Sequence, residues 1–399
     1  MAHIVYREAK GRPFLFAFMG VMTVLFVAGL GSAYYMEHNG HVVTGMSNGI
    51  VWGLPHVFAI FLIVAASGIL NMASLASVFG KMTYKPKARL SGLMSIALLV
   101  GGLSVLVLDL GRPDRLTVAM TSYNFKSIFA WNIFLYTGFL VLVGLYLIVQ
   151  MTRRWVGLTG TVGTAAFLWR LILTTGTGSI FGWLVAREAY NAAMMAPLFI
   201  AMSLSLGLAI YITTRILLDI GCERSLGGEL VQRLAKLLGI FVAATLYFML
   251  LMHVTNLYSA SRAEVVWFLL WDGGVYPAVF WLGYVLLGSL VPIAMVYAPS
   301  INRRPLLIGL ASTLVVAGGL AAIYVIVIGG QAWPLRIFPG MEVSSSFGDG
   351  EVLRYMPTLP ELLLGLGGWA FAALITLVGV KLLPILPVED AAAAEPAAA

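Results

Sequence analysis

Residues 107–132 read VLDLGRPDRLTVAMTSYNFKSIFAWN and join two apolar runs that are each long enough to cross a bilayer. Four charged side chains fall within seven positions of this stretch, namely Asp109, Arg112, Asp114 and Arg115. Gly111 permits a sharp backbone turn, while Pro113 fixes its own φ and disfavours a helical conformation at Arg112. The stretch therefore predicts a polar turn at the edge of the hydrocarbon. Its charges fit either a functional site or an interfacial cap solvated by lipid headgroups.

The composition of the whole chain is that of a membrane protein. Of 399 residues, 60% are hydrophobic and 10% are charged, and the mean hydropathy is +0.95. This excludes a water-soluble globular protein and predicts an all-α polytopic membrane protein. The single cysteine, Cys222, excludes an internal disulfide and an iron–sulfur cluster held by this chain alone. The net charge of +7 lies mainly in short loops, which indicates membrane orientation rather than nucleic-acid binding.

Ten apolar runs are long enough to span a hydrocarbon core of about 30 Å. They are Phe14–Tyr35, Trp52–Phe79, Leu90–Leu108, Ser127–Val149, Leu158–Val185, Ala193–Leu217, Leu234–Tyr258, Val275–Ala298, Pro305–Gly329 and Pro360–Leu383. The first run lacks a clear cleavage site, so we expect a retained helix rather than a signal peptide. The predicted transmembrane domain is residues 14–387, preceded by a cytoplasmic segment, residues 1–13. An Ala-rich cytoplasmic tail, residues 388–399, is expected to be disordered.

The distribution of basic residues predicts the orientation of these spans. Loops on the side of the N-terminus carry 16 of the 24 Lys and Arg residues, and loops on the other side carry 7. Arg170, the remaining one, lies within the fifth span. The positive-inside rule then places both termini in the cytoplasm and the Asp109–Arg115 turn outside. In a bacterium this describes a multi-pass protein of the inner membrane whose outer face is periplasmic.

Polar side chains of the spans collect near the predicted outer ends. His56 lies one turn inside Trp52 in the second span, His253 lies near the end of the seventh, and Glu361 opens the last. Similar depths are expected for Tyr123, Asn124, Ser127 and Trp131. A shallow pocket with histidine, tyrosine, a carboxylate and aromatic walls suits a quinone, whose ring needs stacking and two hydrogen-bond partners.

Other interpretations of these residues remain open. His56 and His253 share a depth and could together ligate a b-type haem, or each could be a core residue bonded to a neighbouring helix. Arg170 could bind an anion or a carbonyl group, as in a transporter of a sulfur oxyanion, or bond to backbone carbonyls near Thr174–Gly178. No Asp or Glu lies in the middle of a span. This argues against a proton pump or a cation transporter.

Several motifs resemble those of the NrfD/PsrC family of quinone-interacting membrane subunits. They are Asp109-Leu110-Gly111-Arg112-Pro113, Trp52-Gly53, and Tyr355-Met356-Pro357-Thr358 followed by Glu361. Residues 71–81 (NMASLASVFGK) and 119–131 (AMTSYNFKSIFAW) look most like its DsrP branch. That branch is the NrfD-like subunit of the DsrMKJOP complex of dissimilatory sulfur metabolism. The resemblance covers nearly the whole chain.

The resemblance implies a fold of two four-helix bundles, here spans two to five and six to nine, flanked by spans one and ten. It implies a menaquinone or ubiquinone bound near the outer face, with no metal or haem in this subunit. The expected electron partner is a periplasmic ferredoxin-like iron–sulfur subunit, DsrO-like. Beside it stand a multihaem cytochrome c and other membrane and cytoplasmic subunits, similar to DsrJ, DsrM and DsrK.

Carried onto this chain, the resemblance assigns roles to particular residues. We expect His56 and Tyr123 to donate hydrogen bonds to the quinone oxygens, and Asp109 and Glu361 to exchange protons with the outer phase. The remaining residues of the expected quinone pocket are Trp52, Arg112, Ser127 and Trp131, with Arg112 ordering the loop by pairing with an acid. Some family members carry a glutamate on the span before the loop, but here that span has no acid. The proton route is therefore left open.

The chain is thus predicted to be a subunit of a larger oxidoreductase complex. It would exchange electrons between the quinone pool and a periplasmic iron–sulfur partner in sulfite reduction or sulfur oxidation. An oxyanion transporter using Arg170, a haem subunit using His56 and His253, and an anchor without a redox role are the alternatives.

Overall fold

The computed structural model describes residues 5–9, 13–222, 229–335 and 350–387. In these ranges ten helices are long and apolar enough to cross a membrane. They are α1 (Pro13–Asn39), α2 (Leu54–Ser77), α3 (Met82–Leu108), α4 (Ile128–Met151), α5 (Val156–Gly182), α6 (Met195–Gly221), α7 (Glu229–Tyr258), α8 (Val275–Tyr297), α9 (Pro305–Ala332) and α10 (Leu359–Leu382). The all-α polytopic fold with ten spans is confirmed. The predicted tail, residues 388–399, lies outside the described residues.

Several spans differ from the predicted apolar runs at their ends. Helix α1 continues to Asn39, and α3 begins at Met82 with a 3-10 segment, Met82–Lys87. Helical hydrogen bonding continues into the interface, whereas apolarity marks only the hydrocarbon. Helix α2 starts later than predicted, at Leu54, because Gly53 is its extended N-cap and Pro55 occupies its first turn.

Two spans of the second half contain wide helical turns. Helix α8 is π-helical over Val279–Leu290, and α9 is π-helical over Val325–Gly329. Pro292 follows the first of these segments and has no N–H to donate to the preceding turn. Short helices outside the spans are His41–Val43, Pro113–Arg115, Leu116–Thr121, Ala263–Trp267 with Phe268–Asp272, and Pro299–Asn302.

The spans pack as two groups of four helices with a flanking pair. Helices α2 to α5 form one group and α6 to α9 the other, and α2 packs along α6 where the groups meet. Helices α1 and α10 pack along each other, and α10 also contacts α2 and α3. Helix α2 is therefore the most enclosed span, and nearly all of its side chains are buried.

The two ends of the described chain meet. Strand β1 (Tyr6–Arg7) pairs antiparallel with strand β2 (Leu386–Pro387), and the Ala9 N–H donates to the Val380 carbonyl at 3.0 Å. With an even number of spans, both ends lie on one face. We call the opposite face the distal face; it comprises residues 40–53, 109–127, 183–194, 259–274 and 350–358.

The crossing of α2 and α6 requires glycine. A Cβ at Gly207 would overlap the backbone of Gly68, and a Cβ at Gly68 would overlap the Ser203 carbonyl oxygen. Close backbone contacts also join Gly29 to Gly367 in the α1–α10 pair and Gly288 to Gly318 in the α8–α9 pair. Small residues that let backbones approach are the usual basis of helix packing in membranes.

We expect Gly207→Ala to destabilise the protein by roughly 1–3 kcal/mol, because the added methyl forces α2 and α6 apart. The measurement is the thermal unfolding midpoint of purified protein in detergent. Gly144→Ala is the matched control, since nothing lies within 4 Å of a Cβ at that position. Equal midpoints for the two variants would show that the crossing tolerates a side chain.

Candidate functional site

The distal end of α2 carries a buried histidine–carboxylate pair. His56, in the first turn of α2, has its Nδ1 2.7 Å from Oδ2 of Asp109, the C-cap residue of α3. The Asp109 side chain is 0% exposed and that of His56 is 13% exposed. The two helices run in opposite directions, so the start of one and the end of the other meet at the distal face. Two residues that are 53 positions apart in the sequence thus form one site.

The pair is close without being aligned as a linear hydrogen bond. Neither carboxylate oxygen of Asp109 has an aligned hydrogen-bond donor among the described residues. A buried carboxylate without donors is costly, so the nearby imidazole is its principal compensation. Because Nδ1 faces Asp109, Nε2 is the ring nitrogen left to contact a further group. The arrangement can hold a proton at His56 and stabilise the imidazolium that results.

Aromatic rings surround Trp52 beside this pair. The Trp52 ring stacks on His56 at a centroid distance of 6.4 Å and on Tyr190 at 6.3 Å. Phe129, at the start of α4, lies 6.0 Å away, and Phe181, near the end of α5, lies 5.8 Å away edge-on. The rings of three helices and one loop therefore meet at the tryptophan that precedes α2. This provides an apolar wall next to a titratable side chain.

The turn after Asp109 has the backbone that its sequence predicts. Gly111 has a φ of +68°, and Arg112 is non-helical with φ −141° and ψ 64°. The Arg112 guanidinium donates two hydrogen bonds of 3.1 Å to the Asp114 carboxylate, and both side chains are more than half exposed. Arg112 thus lies at the surface of the turn and pairs with the acid two residues later.

Two other predicted residues of this stretch, Tyr123 and Trp131, belong to a separate aromatic cluster. The Tyr123 ring contacts Phe134 at 4.6 Å and Phe125 at 5.9 Å. Trp131 is 48% exposed and donates from Nε1 to the Phe125 carbonyl at 2.8 Å. Ser127 is the N-cap residue of α4 but makes no capping bond with its side chain. Among the described residues, the ring contacts of Tyr123 are with Phe125 and Phe134 and those of His56 with Trp52, so the two expected quinone donors lie in different clusters.

The carboxylate of Glu361 accepts four hydrogen bonds. It is 0% exposed. Its Oε2 accepts from the N–H of Gly45 at 3.0 Å and from both the N–H and the hydroxyl of Thr358, and its Oε1 accepts from the Tyr355 hydroxyl at 2.7 Å. The Tyr355 oxygen in turn accepts from the Leu54 N–H at 2.6 Å. Glu361 therefore caps α10 and connects it to the first residue of α2.

Burial and the adjacent Glu361 carboxylate both raise the pKa of Tyr355. Tyr355 consequently remains a phenol that donates to Glu361 while it accepts from Leu54. The start of α2 is thus held by neutral and charged groups from a segment some 300 residues further along the chain.

Two further residues hold the segment before α2, and neither was predicted from the sequence. Gln331 accepts from the N–H groups of Val51 and Trp52 at 3.0 Å and donates to the Trp52 carbonyl at 2.9 Å. Arg187 donates to the Gln331 carbonyl at 2.8 Å and to the Gly49 carbonyl at 2.6 Å. Gln331 lies two residues beyond the predicted ninth span, Pro305–Gly329, so the pattern of apolar runs gave no signal for it. Arg187 was visible only as one loop charge among several.

His253 occupies a different place from His56. It is 5% exposed, its ring meets Phe280 edge-on at 5.1 Å, and its Nδ1 has no hydrogen-bond partner among the described residues. It lines a small apolar cavity between α7, α8 and α9, in the second group of helices. The contacts of His56 are with Trp52 and Asp109 in the first group. The pairing of the two histidines as haem ligands is therefore not supported.

Within the described ranges no cluster of three or more His, Cys, Asp or Glu could hold a metal ion.

Comparisons with known proteins agree with this architecture. The family model described as "Polysulphide reductase, NrfD" matches residues 42–334. An Archaeoglobus fulgidus protein, the Hdr-like menaquinol oxidoreductase integral membrane subunit, is 29% identical over 92% of this chain and 93% of its own length. A Halobacterium salinarum protein, provisionally named as a membrane subunit of dimethyl sulfoxide reductase, is 30% identical, covering 92% and 91%. A selenate reductase subunit from Mesobacillus selenatarsenatis is 23% identical, covering 92% and 93%.

The matched segment begins just before α2 and ends just after α9, so it includes both groups of four helices and the His56–Asp109 pair. It covers well over half of the chain, and the relatives match over nearly their whole lengths. This multi-pass integral membrane protein therefore belongs to the NrfD family.

Proposed function

We propose that the chain is the quinone-interacting subunit of a membrane oxidoreductase complex, and that the quinone headgroup binds beside Trp52, His56 and Asp109. The observation that carries this proposal is the buried His56–Asp109 pair next to an aromatic wall at the membrane edge. A relative whose name includes menaquinol oxidoreductase supports the same substrate class. A menaquinone or ubiquinone is the cofactor that we expect.

A bound quinol supplies two electrons and two protons when it is oxidised to the quinone. His56 can bind one hydroxyl through Nε2 and take up its proton, because Asp109 stabilises the imidazolium from the other side. The Trp52 ring can hold an aromatic headgroup by offset stacking. Asp109 acts as a positioning residue that orients the imidazole and balances its charge.

Tyr123, Ser127 and Trp131 have a different place in this proposal. Their cluster lies at the start of α4, next to Phe129, which touches Trp52. Their position favours a role in lining the entrance to the site or in contacting the isoprenoid tail. It favours less a hydrogen bond to the ring oxygens. Arg112, paired with Asp114 at the surface, suits the ordering of the loop.

We propose that the distal face is periplasmic and that both termini are cytoplasmic, in the inner membrane of a bacterium. The electron partner would dock on the distal face as a ferredoxin-like iron–sulfur subunit, with a multihaem cytochrome c and further membrane subunits of a DsrMKJOP-like complex. The names of three relatives describe subunits, which supports assembly with other proteins. The sulfur-metabolism assignment is supported by the DsrP-like stretches at residues 71–81 and 119–131.

We expect His56→Leu to abolish quinol-dependent reduction of the iron–sulfur partner in the isolated complex, because the group that takes up the proton is lost. Stopped-flow absorbance of the partner cluster after addition of a short-chain quinol measures this rate. His253→Leu is the matched control and should retain the wild-type rate, since His253 lies in the other group of helices. Unchanged turnover of His56→Leu would remove His56 from the site.

We expect Asp109→Asn to lower the turnover number by about tenfold or more while the complex still assembles. The amide keeps the size of the carboxylate but cannot balance the charge of the imidazolium. The turnover number should fall more than the Michaelis constant for quinol rises. Asp114→Asn, on the exposed side of the same loop, should behave as the wild type. If both aspartate variants lose activity equally, loop order rather than the buried charge is responsible.

Glu361 was expected to exchange protons, but its four hydrogen bonds argue for a positioning role. We expect Glu361→Gln to lower the thermal unfolding midpoint, because a neutral amide replaces a buried acceptor at a cost of about 1–3 kcal/mol. Glu229→Gln is the control; Glu229 is 83% exposed in its pair with Arg233, so its loss should matter little. A Glu361→Gln variant with an unchanged midpoint but no turnover would restore the proton-exchange role.

A further inference from the structure

Arg170 lies in the middle of α5 and is almost completely enclosed, with only 3% of the residue exposed. At a rise of about 1.5 Å per residue, it lies about 20 Å from either end of the helix. A cation at this depth is costly unless it is paired, so its surroundings should show how the charge is compensated.

Two of the three guanidinium nitrogens of Arg170 have no hydrogen-bond partner in the described part of the chain. Its Nε and Nη1 atoms are buried without a hydrogen-bond partner, and no carboxylate of the described residues lies within 4 Å. The ring of Phe167 lies 4.9 Å from the guanidinium carbon, which offsets only part of the cost. The backbone carbonyl of Arg170 accepts bonds from Ser67 and Thr174, but these do not involve the charged group. The expected bonds from its side chain to carbonyls near Thr174–Gly178 are absent for these two nitrogens.

Other arginines near the spans show how this chain normally satisfies such a group. Arg89, in α3, donates to the carbonyls of Pro384 and Gln150 at 2.9 and 2.7 Å. Arg215, in α6, pairs with Asp219 one turn later at 2.8 Å. Arg170 therefore differs from both in having two buried nitrogens that face no acceptor.

Arg170 also lines a cavity of about 210 Å³ between α2, α5, α6 and α7. Its walls are apolar apart from Arg170 and Asn71, and the Asn71 amide already donates to the Gly68 carbonyl at 2.7 Å. The apolar lining includes Met72, Leu75, Phe79, Leu208 and Phe241. Gly68 is 12 residues beyond His56 along α2, or about 18 Å, so this cavity is separate from the distal site.

We propose that this cavity is a binding site for a lipid-soluble anion, an amphiphile whose carboxylate pairs with Arg170 and whose hydrocarbon chain fills the apolar volume. A carboxylate matches the forked guanidinium and cancels its charge, which the neutral carbonyl of a quinone would not do. A small hydrophilic oxyanion would leave the apolar walls unfilled and would lose its hydration without replacement. The lining therefore opposes an oxyanion transport path and favours a long-chain carboxylate.

The test is equilibrium binding of radiolabelled dodecanoate to the full chain in phosphatidylcholine nanodiscs, with dodecanol, dodecyl phosphate and sulfite as parallel probes. Dodecanoate should bind saturably and at least tenfold more tightly than dodecanol. Arg170→Met should remove that preference. The control is Arg153→Met, at an exposed loop position, which should leave the preference unchanged. It tests whether the loss of any positive charge lowers dodecanoate binding. Equal binding of dodecanoate and dodecanol by the wild type would overturn the proposal.

A second variant keeps the charge of Arg170 and reduces the volume of the cavity. Leu204→Trp, at a partly exposed position of the cavity wall, should weaken dodecanoate binding at least tenfold while Arg170 stays in place. Unaltered dodecanoate affinity in Leu204→Trp would place the carboxylate elsewhere and overturn the proposal, even if Arg170→Met does not fold. Tighter, Arg170-dependent binding of dodecyl phosphate would assign the site to a phospholipid headgroup instead. Arg170-dependent binding of sulfite without dodecanoate would restore the oxyanion interpretation.

Discussion

The hydrocarbon core of a membrane offers no hydrogen bonds, so every polar group inside it must find a partner within the protein. Helix α2, the most enclosed span, shows how this chain meets the constraint. Ser91 and Ser95 of α3 donate to the carbonyls of Ile69 and Ala66 at 2.6 and 2.7 Å. Such bonds join neighbouring helices without introducing charge. Asp109 and Arg170 are charged side chains that each bury two polar atoms without an aligned hydrogen-bond partner among the described residues, and such atoms call for an explanation.

The distal end of α2 meets the same constraint with longer-range bonds. Three residues from the last third of the chain hold the backbone between Gly45 and Leu54. They are Glu361, Tyr355 and Gln331. Since Trp52 and His56 belong to or follow this segment, their positions depend on residues that contact no ligand in the proposed site. A rigid support of this kind limits the reorganisation that a proton transfer next to Asp109 would need.

The sequence was sufficient for the fold, whereas the role of each site residue stays a prediction. Apolar runs identified all ten spans, because the thickness of the hydrocarbon dictates their length. The proximity of His56 and Asp109 depends on how α2 and α3 are rotated about their axes, which apolarity does not reveal; the sequence indicated only that both residues lie near the outer ends of their spans. The role of Glu361 depends on a bond to Gly45, 316 residues away, so its burial could not be foreseen. The Tyr123 ring contacts Phe125 and Phe134, and its expected hydrogen bond to the quinone stays a prediction.

The pairing of α1 with α10 has a consequence for biosynthesis. Helix α1 finds its main neighbour, α10, only after the eight spans between them have been made. Until α10 is made, α1 must be surrounded by lipid, and its mostly outward-facing apolar surface is compatible with that environment. A chain that ends before α10 would therefore leave α1 without its main neighbour, and the uncovered contact surface would make the product prone to misassembly.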